Sequence, residues 1–290
     1  MIKLFIFFSI LLCGENCFGQ ITDNNVITSS TESMAIDHYK KAQECWNNKD
    51  FMGALGNIDM SINFSPNRAG GYYFRGFVYC FGFKNYELAI NDFSKAIQFE
   101  PNSYQSYFYR GIAFFQLDKY TEAIMDMSKV ILNNQENTDA YFIRARSKQF
   151  LGEFQDAIYD YNQIVKMAKI AKPNYYTLSQ VYFDIAYNLD ILRRPKEALN
   201  HVDLALKIDN ANANYFRFRG ELHYKLGDFK ECIKDMSSAL SINNKMSDAY
   251  YLRGLSAFQL KKNVDGCADL QRARQLGETK ALAAITQYCQ

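Results

Sequence analysis

The chain has 290 residues, 48% of them apolar and 22% charged, with a formal net charge of +2. There is enough apolar residue to bury a core, and the near-neutral balance offers no basic footprint for nucleic acid. Lysines and arginines are interspersed with acids along the whole length, as on solvated helix faces.

The N-terminus stands apart. Lys3 precedes a run over residues 4–12 that is apolar but for Ser9. Nine helical residues are too few to cross a hydrocarbon core about 30 Å thick, but they suit the apolar part of a secretory signal peptide. We read residues 1–19 as that signal, cleaved before Gln20, which implies a periplasmic, cell-envelope or secreted location. A lipoprotein signal ending at Cys13 or Cys17 fits less well, because Leu12 is bulky and Gly14-Glu15-Asn16 is polar. No second long apolar run follows, so no transmembrane segment is expected in the mature chain. Residues 20–33, rich in Ser, Thr and Asn, read as a flexible polar linker.

From there the chain repeats. Small residues recur at Ala54, Ala89, Ala123, Ala157, Ala198, Cys232 and Gly266, in steps of 35, 34, 34, 41, 34 and 34. A second small series precedes it, at Ala42, Gly76, Gly111, Ala145, Ala186, Gly220 and Gly254. A period near 34 signals stacked helical hairpins, and two facing small residues let the helices of a hairpin approach closely. A glycine inside a helix costs about 1 kcal/mol relative to alanine, so close packing must return more than that. The predicted repeats span 35–68, 69–103, 104–137, 138–178, 179–212, 213–246 and 247–280, with a capping helix over 281–290. The second carries one extra residue near positions 81–84. The fourth is followed by seven more, which we expect to lengthen the flanking helices: MAKIAK prolonging one, Pro173 stopping it, TLSQVYF starting the next early, with residues 173–176 at a protruding tip.

Tyr107, Gly111, Phe114, Tyr120, Ala123, Met127 and Val130 sit where the tetratricopeptide repeat pattern W-x2-L-G-x2-Y…A-x3-F…A expects large or small apolar residues, and the sequence resembles that family over residues 35–280. The resemblance implies an all-α, right-handed superhelical solenoid of about seven repeats. It departs from the pattern at Val130 and Ile164, where a small residue is expected, and the terminal proline survives only as Pro66 and Pro101.

The pattern's leucine is arginine in five repeats: Arg75, Arg110, Arg144, Arg219 and Arg253. Those repeats alone carry an aspartate on the second helix: Asp92, Asp126, Asp160, Asp235 and Asp269. The first repeat has Lys41 with Asn57 and the fifth Ile185 with His201, so both residues come and go together. We infer an ion pair clasping each hairpin, suited to arginine's planar fork.

One stripe of each first helix stays apolar where a surface helix should turn polar. It comprises Tyr39, Tyr73, Phe108, Phe142, Phe183 and Tyr251, joined by Trp46, Phe77, Ile112, Phe115, Tyr187, Tyr224 and Phe258. The resemblance places these residues in a concave groove that binds a peptide or partner protein. The competing reading stacks them on neighbouring repeats and buries them. Arg146, Asp190, Arg217 and Glu221 interrupt the aromatics in the second half.

No catalytic motif, phosphate loop or metal-ligand spacing is present, and His38, His201 and His223 fall in separate repeats, so neither an enzyme nor a cofactor is expected. Cys267 lies on the last full repeat and Cys289 on the cap, placed to form a disulfide that staples the lid in an oxidising compartment. The expected function is a non-catalytic scaffold for a protein or peptide partner. The alternative is a structural envelope component that assembles through its edges or termini.

Overall fold

The computed structural model describes residues 30–168, 173 and 176–289. The signal peptide, its cleavage point and most of the inserted tip lie outside them. The described residues form fifteen α-helices and no strand. The first repeat is α1 (Ser30–Asn47) and α2 (Phe51–Phe64); then come α3 (Ala69–Phe77) with α4 (Tyr86–Phe99), and α5 (Tyr104–Gln116) with α6 (Tyr120–Asn133). The fourth repeat is α7 (Thr138–Phe150) and α8 (Phe154–Met167), the fifth α9 (Leu178–Ile191) and α10 (Pro195–Ile208). The last two are α11 (Ala213–Leu226) with α12 (Phe229–Ile242), and α13 (Ser247–Gln259) with α14 (Asn263–Gln275). Helix α15 (Ala281–Tyr288) is the cap. The chain divides into two compact units, α1–α7 and α8–α15, and the division falls inside the fourth repeat.

Helix starts follow local chemistry. Asp50, Asn85, Asn137 and Thr177 cap α2, α4, α7 and α9 by accepting from the amides of Gly53, Leu88, Ala140 and Gln180. Pro195 opens α10, where its missing N–H costs nothing.

Three boundaries differ from the sequence reading. Helix α1 begins at Ser30, so its first turn takes in residues read as linker, with Glu32 favourably placed at the positive end of the helix. The extra residue of the second repeat becomes a π-helical turn, Val78–Gly82, closed by the Phe83 amide on the Val78 carbonyl at 3.3 Å. The third is the end of α8, which stops at Met167 with the same 14 residues as α6, where residues 167–172 are read as prolonging it; residues 169–172 lie outside the described ones. Helix α9 starts at Leu178 behind its Thr177 cap.

The small residues do what their spacing predicts. Ala42, Ala54, Ala89, Ala123, Ala186, Ala198 and Cys232 are fully buried. A Cβ added to Gly254 would stand 3.0 Å from the Gly266 carbonyl oxygen, and one on Gly76 3.2 Å from that of Ala89. At Gly111 the obstacle is the Met127 Cε, at 2.6 Å. The hairpins close at these points.

Candidate functional site

Each arginine column is built from three contacts. Arg75, Arg110, Arg219 and Arg253 grip Asp92, Asp126, Asp235 and Asp269 of their own hairpins with Nε and Nη2, every bond between 2.7 and 2.9 Å. The remaining nitrogen, Nη1, reaches back to the second helix of the preceding repeat. It donates to Asp59 at 2.8 Å from Arg75, to Ser94 at 3.0 Å from Arg110 and to Ser128 at 3.1 Å from Arg144. In the second unit it meets Asp203 at 2.6 Å from Arg219 and Ser237 at 3.0 Å from Arg253. Finally, each guanidinium lies 5.4–5.6 Å over the ring three residues before it, from Tyr72 to Tyr250. Arg144 and Asp160 stand on helices of different units, and Asp160 is buried on α8.

The backward contact is what sequence reasoning missed. Its acceptor lies two residues after the clasping aspartate and changes chemistry. It is serine when the preceding repeat has its own aspartate, and Asp59 or Asp203 when that repeat has Asn57 or His201 instead. Hydrogen bonding to the carboxylates holds Arg75 and Arg219 even further above the ordinary guanidinium range. Asp126 behaves differently. Burial raises its carboxyl above the usual range, and the Arg110 bond offsets only part of that.

The aromatic stripe divides. Phe77, Ile112, Phe115 and Phe142 are buried, Phe142 completely, so these four do not line an open groove, and Tyr73 is buried except where it borders the cleft described below. Tyr73 and Phe77 are packed by one ring the sequence reading did not single out, that of Tyr109, and Phe77 also by Trp46 of the same stripe. Tyr109 stands 6.0 Å from Tyr73, 5.2 Å from Phe77 and 5.6 Å from Phe81, and Trp46 lies 5.0 Å from Phe77. Phe183 stacks on Tyr215 at 4.9 Å and meets Phe218 edge-on at 5.2 Å. Tyr39, Trp46, Phe108, Phe183, Tyr224, Tyr251 and Phe258 keep an intermediate exposure, and Tyr187 is 38% exposed.

What remains open in the first unit is a cleft of about 630 Å³, walled by Tyr39, Tyr73 and Tyr104 with Arg68, Gly70 and Gln105. Among the described residues no carboxylate pairs with Arg68, although Glu100 lines the same cleft. Burial pushes the Tyr39 phenol up to about 12, with Arg68 pulling the other way. In the second unit the corresponding stripe is closed by charge. Asp190 of α9 accepts from Lys225 at 2.6 Å, Lys225 also meets Glu221, and Arg217 joins Glu221 at 3.4 Å to Asp248 of α13 at 3.3 Å.

Residues 193–273 match the family model described as anaphase-promoting complex, cyclosome, subunit 3. A tetratricopeptide repeat protein from Parabacteroides merdae superposes with a TM-score of 0.60 at 13% identity, covering 86% of this chain and 96% of that one. YrrB, described as a tetratricopeptide repeat protein with an unusual peptide-binding site, gives 0.57 at 15%, covering 67% and 97%. The chain has the fold of a tetratricopeptide repeat array. In sequence, the DnaJ homolog subfamily C member 7 homolog of Schizosaccharomyces pombe is 32% identical over 93 residues, 32% of this chain. The match spans 19% of that protein's length.

The repeat fold also places the histidines. His38 Nδ1 lies 3.2 Å from the Asn57 side-chain oxygen, standing in for the clasp of the first repeat. His201 sits under Tyr182 with its ring centroid 6.1 Å away, and burial lowers its pKa. His223 lies 3.9 Å from the Asp235 carboxylate that holds Arg219. Each of the three packs between the two helices of its own hairpin. Cys267 and Cys289 are disulfide-bonded, with Cα atoms 5.7 Å apart, joining α14 to the cap. Such folds serve as scaffolds for protein–protein interaction, and none of the described helices is long and apolar enough to cross a membrane.

Proposed function

We propose that this chain is an exported, non-catalytic scaffold that takes an extended segment of a protein partner into the cleft of its first unit. The observation that carries the reading is that cleft: tyrosine walls, polar helix ends, and an arginine left without a carboxylate. Aromatic rings give large contact area at low entropic cost, and an unpaired guanidinium favours an acidic group beside them. Export is supported by the N-terminal apolar run behind Lys3 and by the Cys267–Cys289 bond, which persists in oxidising compartments.

Crosslinking with mass spectrometry on the native protein tests it, paired with Tyr39→Ala and Arg68→Glu. Both variants should keep full helicity by circular dichroism and lose partner crosslinks around the cleft.

A second reading is favoured by one observation. Large apolar side chains stand exposed on second helices, Leu132 at 76% and Met125 at 59%. A chain that assembles into an envelope structure through this edge would lose its crosslinks in Leu132→Glu and keep them in the cleft variants. That outcome would replace the cleft reading.

A further inference from the structure

We propose that the Cys267–Cys289 pair is a redox latch: in its disulfide form it seats the C-terminal helix over the end of the second unit's aromatic row, and in its dithiol form it releases that helix. The case begins with how little else holds α15. It has eight residues, and a helix shorter than about 12–15 residues is marginal in water on its own. The residues it buries are Ala281 and Ala284, while Leu282 and Tyr288 stay exposed. It departs from a corner at Gly277, which takes the left-handed conformation at φ 93°.

The disulfide fixes one useful contact. Tyr288, immediately before Cys289, stacks on Phe258 with centroids 4.9 Å apart and planes 21° from parallel. Phe258 also lies against Gly266, where an added Cβ would approach the ring to 2.7 Å. Phe258 therefore touches both α14 and the Tyr288 ring. Tyr224 and Tyr251 feel Tyr288 as well, since its phenol helps raise theirs alongside burial. The cap thus covers the end of the row Tyr224, Tyr251 and Phe258, the half-buried aromatics of the second unit that the charge chain leaves free.

The other thiols are poorly placed to exchange. Cys80 and Cys232 are buried, and burial pushes Cys232 up to about 11, so neither supplies thiolate at neutral pH. Cys267 and Cys289 have intermediate exposure. Closing is a thiol–disulfide exchange with an oxidised dithiol oxidoreductase. One cysteine thiolate attacks the acceptor's disulfide to form a mixed disulfide, and the second displaces it. Two protons and two electrons leave the pair, the Cys267–Cys289 bond forms, and the acceptor departs as a dithiol. Opening is the reverse, with a dithiol as reductant. The consequence, an aromatic surface covered or bared, rests on the scaffold reading above; the latch itself does not.

Amide hydrogen exchange on the full chain tests the latch without any partner, so its failure is distinguishable from failure of that reading. The samples are oxidised protein, protein treated with dithiothreitol, and Cys289→Ser, all in a Cys45→Ser background that removes the half-buried third thiol. Reduction and Cys289→Ser should each speed exchange over residues 281–289 about tenfold or more, while residues 213–259 keep their protection. Oxidised Tyr288→Ala should retain the cap and expose only the surroundings of Phe258. Unchanged protection of 281–289 after reduction overturns the proposal. So does loss of protection through α13 and α14 together with the cap, which would make the bond a staple of the fold.

Discussion

The two units use the same columns of residues for opposite surfaces. In the first, the stripe beside the packing face is filled by rings, with Tyr109 touching Tyr73, Phe77 and Phe81. In the second, the equivalent stripe carries Arg217 and is closed by a chain from Asp190 through Lys225 and Glu221 to Asp248. Ring packing leaves a cleft at the helix ends; the charge chain fills its own space. The repeat therefore dictates the backbone and leaves surface chemistry open, and a partner suited to one unit is not suited to the other.

The arginine columns give the largest expected difference. Arg219→Ala strips two carboxylates, Asp235 at 2% side-chain exposure and Asp203, and should cost about 3–5 kcal/mol in chemical denaturation. Arg110→Ala strips one aspartate and a serine, and should cost less. Its deficit should also shrink with acid. The Asp126 carboxyl is raised in the fold, so its folded state takes up a proton sooner than the unfolded chain. The cost of its buried charge is present above the folded pKa and relieved as pH falls through it. The second unit moves the other way. His201 has a lowered pKa, so its contribution is complete above the ordinary imidazole value and is lost as pH falls through it. Urea melts from about pH 7 to about pH 5 should show Arg110→Ala recovering relative to wild type. His201→Gln should flatten the wild-type decline over the same range. Parallel pH curves for all three proteins would break the comparison.

These columns also show where the sequence was readable. The small residues and the Arg–Asp clasp repeat by identity, so a fixed period exposes them. The backward bond from Nη1 does not repeat by identity. Asp59, Ser94, Ser128, Asp203 and Ser237 look like solvent-facing residues of a second helix, and only geometry shows that one donor needs all five. The aromatic stripe was legible as a stripe but not as a surface. Whether Phe77 meets water depends on how closely Tyr109 of the next repeat packs on it, which no single repeat encodes.

Next in size is the close approach of helices. In Gly254→Ala the new methyl meets a backbone oxygen at 3.0 Å, which moves only if α14 moves. In Gly111→Ala it meets the mobile end of Met127, although Asp126 Cβ at 3.2 Å must also give. Overpacking typically costs about 1–3 kcal/mol, against about 1 kcal/mol returned by alanine's helix propensity. Gly254→Ala should lose stability clearly, and Gly111→Ala should lie near neutral. Equal losses in thermal melts would mean that Met127 cannot swing aside.

The smallest effect lies in the turns inside the hairpins. Each passes through a left-handed residue. Glycine fills that position at Gly152 and Gly227, but Lys49, Lys84, Asp118, Arg193 and Lys261 take it with φ between 55° and 62°. A side chain there costs roughly 1–2 kcal/mol, and glycine returns about half of that through the greater entropy of its unfolded chain. Lys261→Gly should therefore gain a few tenths of a kcal/mol, and Gly227→Ala should lose about as much or more. Both turns belong to the second unit, and a Cβ at Gly227 meets nothing within 4 Å, so packing does not confuse the comparison. Calorimetric midpoints for the pair should move in opposite directions. If both fall, the lysine makes a contact worth more than its backbone strain, and the turn has adapted to its side chain.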